Sequence, residues 1–184
     1  QTWIGRLANA MKSQQERERE ERERQEQRNA LIDMKGQIDA INKSQAVIEF
    51  TLDGKILNAN NNFLGALGYS LGEIQGQHHS MFVDPIYRSS NEYRMFWDKL
   101  GRGKFDAGEY KRIGKGGKEI WIQASYNPVM DESGRPMKVV KYATDITATK
   151  LKAADVAGQL DAINKAQAVI EFSLDGKILH ANDN

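Results

Sequence analysis

One segment of this chain occurs twice. Residues 36–62, GQIDAINKSQAVIEFTLDGKILNANNN, return as residues 158–184, GQLDAINKAQAVIEFSLDGKILHANDN, at an offset of 122 residues. Five of the 27 aligned positions differ (Ile38/Leu160, Ser44/Ala166, Thr51/Ser173, Asn58/His180, Asn61/Asp183) and 22 are identical. A repeat of this fidelity changes what 184 residues mean, because length alone would suggest one domain with a surplus. The second copy ends at Asn184, where the first copy enters an apolar run at Phe63. The expected organisation is an N-terminal signalling or cap helix over 1–45, one complete module over 46–147, a linker helix over 148–167, and the cut-off opening of a second module over 168–184.

Composition narrows the function classes. Lys plus Arg number 26 against 25 for Asp plus Glu, a net charge of +1, so no global field draws the chain to nucleic acid or to an anionic membrane. No run of about 18 apolar residues is present, so no membrane span is expected. Cysteine is absent, which excludes disulfides, thiolate metal sites and cysteine nucleophiles. The stretch Gln14–Arg28 holds six Glu, five Arg, four Gln and no apolar residue. Its charges fall at i,i+3 and i,i+4 spacings that suit a helix. On either side Ile4, Leu7 and Met11, and Leu31, Met34, Ile38 and Ile41, follow a 3-4 alternation one residue out of phase, the pattern of a coiled-coil helix with a stutter.

At Ala46 the period changes from helix to strand. Ala46–Thr51 and Ile56–Asn60 flank Asp53-Gly54, a strong hairpin signal. Asn60 caps a short helix ending at Gly68, and Ser70 with Glu73 makes a capping box for a further turn. His78–Pro85 has no clear period and reads as a connection. A longer helix is expected over Tyr87–Leu100, with Tyr93, Phe96, Trp97 and Leu100 on one face. Strands over Phe105–Ile113, Lys118–Met130 and Met137–Ile146 follow, joined by glycine-rich turns. The order β-β-α-α-α-β-β-β defines an α+β module with helices on one antiparallel sheet. Along Lys118–Met130, Ile120, Ile122, Ala124 and Tyr126 share one face, and Trp121 lies on the other. A large outward Trp needs a cover, for which the N-terminal helix or a second subunit is expected.

That element order, with GYSLGEIQGQ after the first helix and the exit Asp145-Ile146-Thr147, resembles the PAS sensor-domain family over roughly residues 46–147. GQHHSMFVDP, YRMFWDKLGRGKFDAGEYKRIGKGGKEIWIQASYNPV and KVVKYATDIT look like the tandem-PAS chemoreceptors of bacteria. They are also similar to the flavin-binding PAS domain of bacterial aerotaxis receptors. The resemblance implies a five-stranded antiparallel sheet with helices on one face and a cavity beneath them. It further implies a sensor without catalytic activity, on the cytoplasmic side, acting as a homodimer through its flanking helices and outer sheet face. A methyl-accepting signalling domain is the implied downstream partner.

For a ligand, the resemblance points first to FAD. Asn60 matches an asparagine implicated in flavin binding, although helix capping would equally explain it. Trp97 matches a pocket tryptophan able to stack on an isoalloxazine ring, although a core role would equally explain it. His79 falls where flavin sensors bring a side chain to the ring, and Ile122 and Tyr126 would line the cavity. An Arg-His-Pro-Asp run of aerotaxis receptors is replaced here by Val83-Asp84-Pro85-Ile86. Haem is the alternative, with His78 or His79 as the loop ligand, since Asn91 stands where oxygen-sensing kinases place theirs. A cofactor-free dimerisation and relay module is the third reading. Light sensing through a cysteinyl adduct is excluded by the missing thiol. No nucleophile elbow, phosphate loop or nucleotide fingerprint accompanies Ser80 and Asp84, so an enzyme is not expected.

Overall fold

The computed structural model describes residues 2–184, in two units that meet between Gln45 and Ala46. The first unit contains a single helix, α1 (Trp3–Ser44). Its polar middle is laced by solvent-exposed i,i+4 ion pairs, Arg19 with Glu23 at 2.8 Å and Arg24 with Glu20 at 3.4 Å. Leu31, Met34, Ile38 and Ile41 remain exposed along it. The phase break between the two apolar stripes does not interrupt the helix.

In the second unit, β1 (Ala46–Phe50) and β2 (Ile56–Ala59) form the expected hairpin. Gly54 turns it in the left-handed region at φ +86°, where residues with a Cβ are strained. Three short helices follow: α2 (Asn61–Leu67), α3 (Leu71–Ile74) and, beyond a 3-10 turn over His79–Phe82, α4 (Pro85–Arg88). Next comes α5 (Asn91–Gly101), and then β3 (Asp106–Ile113), β4 (Glu119–Met130) and β5 (Pro136–Asp145). All five strands pair antiparallel in the order β2-β1-β5-β4-β3. One sheet face is buried under the helices. Ile48, Phe50, Ile120, Ile122, Tyr126 and Val139 meet Phe63, Leu67, Ile74, Phe82, Phe96 and Leu100 there.

One expectation changes. The single helix over Tyr87–Leu100 is instead two, because the Ser90 hydroxyl accepts the Tyr93 N–H at 3.1 Å and restarts the chain as a new helix. Within the second unit, Trp121 is partly covered by the exit helix α6 (Thr147–Ala166). The Asp145 carboxylate accepts the Thr147 N–H at 2.8 Å, and the Trp121 N–H bonds the Thr147 hydroxyl at 3.0 Å. Lys150, one turn on, then lies 5.3 Å from the indole centre. Beyond α6, β6 (Ile170–Phe172) and β7 (Ile178–Ala181) form a separate two-stranded sheet.

Candidate functional site

The connection without a period holds the centre of the module. His79 and Phe82, three residues apart on the 3-10 turn, are both fully buried, as the three-residue repeat of that turn dictates. His78 anchors the turn: its Nδ1 accepts the Ser80 N–H at 3.1 Å, so its Nε2–H donates to the Asp53 carbonyl at 2.9 Å. The β1–β2 turn is thereby tied to the segment that carries His79.

His79 bridges the helical layer and the sheet. Its Nδ1 lies 2.9 Å from the Tyr93 hydroxyl of α5, and its Nε2 lies 3.1 Å from the Tyr126 hydroxyl of β4. Arg112 Nη2 donates to Tyr126 Oη at 3.0 Å. A neutral imidazole accepts at one of these nitrogens and donates at the other, so the ring takes one phenol hydrogen and gives its own N–H to the other phenol. Burial first, then the charges of Arg112 and Lys141, hold the imidazole well below its usual range, so it is neutral. Burial likewise raises both phenols, Tyr93 to about 12.

Aromatic rings close the space around this network. Phe96 meets Tyr126 edge to face at 4.9 Å, Trp97 stands 5.4 Å from His79 and 5.6 Å from Phe50, and Phe50 lies 5.3 Å from His79. The helical layer and the sheet therefore touch directly here. Yet two buried donors are left without acceptors, Trp97 Nε1 and Arg112 Nε. The indole nitrogen lies toward the Tyr93 hydroxyl without completing a hydrogen bond.

Of the residues singled out in the sequence, His79, Trp97 and Tyr126 are brought together, and Ile122 joins the same buried row of β4. Asn60 is engaged elsewhere: its Oδ1 accepts the Val47 N–H at 2.9 Å and the Phe63 N–H at 3.0 Å, capping α2 and clipping it to β1. Sequence reasoning missed Tyr93 as a partner of His79, and missed Arg112 and Lys141 altogether. Period-two alternation was the available signal, since Gly108, Tyr110 and Arg112 share the inward row of β3, and Val139, Lys141 and Ala143 that of β5.

This five-stranded sheet, with short helices and a 3-10 turn over one face, defines a class of α+β fold. Residues 56–143 match the family described as PAS fold, and the module belongs to it. Among curated proteins, the chain is 47% identical over 145 residues to the biofilm dispersion protein BdlA of Pseudomonas aeruginosa, an alignment covering 79% of this chain and 35% of that protein. It is 32% identical over 81 residues to the aerotaxis receptor of Escherichia coli, covering 44% of this chain and 16% of the receptor. The chain thus spans about a third or less of these relatives. Two solved structures share the fold. One is a PAS domain from Colwellia psychrerythraea (TM-score 0.55, 21% identity, 62% of this chain and 98% of that one). The other is a light-oxygen-voltage domain studied with a flavin analogue (TM-score 0.54, 18% identity, 68% and 96%). Among the described residues, no helix is long and apolar enough to cross a membrane.

Proposed function

We propose that this chain is the sensory part of a chemoreceptor, binding rather than catalytic, and facing the cytoplasm. It reads a redox or oxygen signal at the His79 core and passes it through its flanking helices to a methyl-accepting signalling domain. Its identity to the biofilm dispersion protein and to the aerotaxis receptor supports the setting. The exposed stripe Leu31, Met34, Ile38 and Ile41 on α1 supports a homodimer joined through such helices.

The observation that carries the reading is the pair of orphaned donors, Trp97 Nε1 and Arg112 Nε, beside a neutral buried imidazole. Each buried donor without a partner costs about 1–3 kcal/mol, which an acceptor-rich group would remove. FAD is such a group, and when bound it would supply reversible reduction as the signal. Trp97 and Arg112 would donate to it and Ile122 would provide an apolar floor. Tyr126 and His79, now in contact, would have to separate. Asn60, bonded to Val47 and Phe63, would position β1 and α2 from outside the site. The two states of the group must favour two arrangements of the core unequally for a signal to leave it.

A second reading is favoured by His79 itself. A neutral imidazole keeps one unprotonated ring nitrogen, the form in which histidine ligates haem iron. The absorption spectrum of the purified chain, before and after incubation with FAD or haemin, tests both. Bands near ~450 nm support flavin and an intense band near ~400 nm supports haem. With neither, the cofactor reading falls and a cofactor-free relay module takes its place.

A further inference from the structure

Two basic side chains point into the core without an anion to meet them. Arg112 on β3 is 4% exposed and Lys141 on β5 is 1% exposed. Lys141 stands opposite Tyr126 in the β4–β5 register, with its Nζ 4.9 Å from the centre of the Tyr126 ring and 5.6 Å from that of Phe63. Arg112 bonds the Tyr126 hydroxyl and, at 2.8 Å, the Lys111 carbonyl, and its guanidinium lies 4.8 Å from the Tyr110 ring centre. Neither is in an ion pair among the described residues. Asp106, opposite Tyr126 on the other side, is engaged by Lys99 at 2.6 Å and by the Tyr110 hydroxyl at 2.5 Å.

Burying an ion is expensive even after relaxation, and ring faces return only part of that cost. Burial, reinforced by Arg112, pushes the Lys141 ammonium well below its usual range. Apolar side chains at both positions would suit the fold better, as Val139 and Ala143 do beside Lys141 on the same row. Arg112 can also be reached from outside. It lines an open cleft of about 320 Å³ between the Val83–Tyr87 segment and β3. The carboxylates lining that cleft are engaged, Glu109 with Lys150 and Asp84 with the Ile86 N–H at 2.8 Å.

We propose that Arg112 and Lys141 form an anion-recognising subsite inside the module, which takes the carboxylate of a small organic acid or the anionic edge of a bound ring. The inference rests on the interior being where the signal is read, and it names the charge of what is read there. The two residues divide the task. Arg112 has a free Nε–H fixed in a planar fork, and Lys141 supplies a point charge over the ring it covers.

Thermal melting of the full chain tests it. Wild type, Lys141→Met, Arg112→Met and the surface control Lys138→Met would be compared in sodium chloride, in the sodium salts of acetate, pyruvate, succinate and benzoate at equal ionic strength, and with added FAD. Without added anion, Lys141→Met should melt several degrees above wild type, because the cost of burying the lysine amine is removed. At least one of the anions should raise the wild-type melting temperature saturably and leave that of Lys141→Met unchanged, while Lys138→Met behaves as wild type. Should Arg112→Met fail to fold, the Lys141 variant still decides. Melting of Lys141→Met below wild type, equal shifts in both proteins, or no shift with any of these anions would overturn the subsite. FAD shifting both proteins equally would leave the flavin reading standing while the subsite falls. A carboxylate acting through Lys141 with no effect of FAD would do the reverse.

Discussion

The two copies of the repeated hairpin are the same object in two surroundings. β1–β2 and β6–β7 pair in the same register with a bulge at the same point, Ile48 facing Ala59 as Ile170 faces Ala181. Both turn on a left-handed glycine, Gly54 at φ +86° and Gly176 at φ +85°. In both, an asparagine side chain accepts a backbone N–H at the start of the hairpin at 2.9 Å, Asn60 from Val47 and Asn182 from Val169. Their burial is opposite. Phe50 and Ile48 are wholly enclosed, whereas Phe172 and Ile170 are 56% and 48% exposed. The hairpin's shape is thus written in its own turn residues and cross-strand pairs, while its apolar face acquires value only from the helices and strands that close over it.

Three experiments press on this contrast. The largest difference is expected for paired truncations. Phe50→Ala should cost about 3–5 kcal/mol in urea unfolding, and Phe172→Ala within about 0.5 kcal/mol. Equal losses would mean that the second hairpin is packed as tightly as the first. Next come the turn glycines. A Cβ on Gly54 would stand 2.5 Å from His78 Nε2 and 3.0 Å from Trp97, while one on Gly176 meets nothing within 4 Å. Gly54→Ala should lose about 3 kcal/mol through strain and displacement of the His79 turn, against about 1 kcal/mol of left-handed backbone cost for Gly176→Ala.

The smallest effect is graded by pH. His79 titrates lower in the fold than in the unfolded chain, so its contribution is complete above about pH 6.5 and declines as the pH falls below that. The slope reaches at most about 1.4 kcal/mol per pH unit, and His79→Gln should flatten it. A wild-type profile flat between pH 7 and pH 5 would contradict the neutral imidazole.

What could be read from the sequence follows the same division. Asp53-Gly54, the Asn60 cap and the alternation Ile120, Ile122, Ala124, Tyr126 announce themselves through local chemistry, and each is found as expected. The site was half legible. His79 and Tyr126 could be named through the family's pattern, but their hydrogen bond joins residues 47 positions apart and has no local signature. The 3-10 turn hid because a four-residue element has no repeat long enough to count. Ser90 restarts a helix inside a run whose apolar spacing continues through it. Arg112 and Lys141 sit where alternation places core residues, and basic side chains there contradict the usual inside-outside rule. Such local contradictions are where function is to be sought.

A bound FAD should be felt first in the closed core around His79. Amide hydrogen exchange of the full chain, with and without FAD, tests this most directly. Exchange should slow over His79–Phe82, β4 and β5 when FAD is present, with Ile170–Ala181 unchanged. No slowing in the core, or equal slowing in the two hairpins, would contradict it.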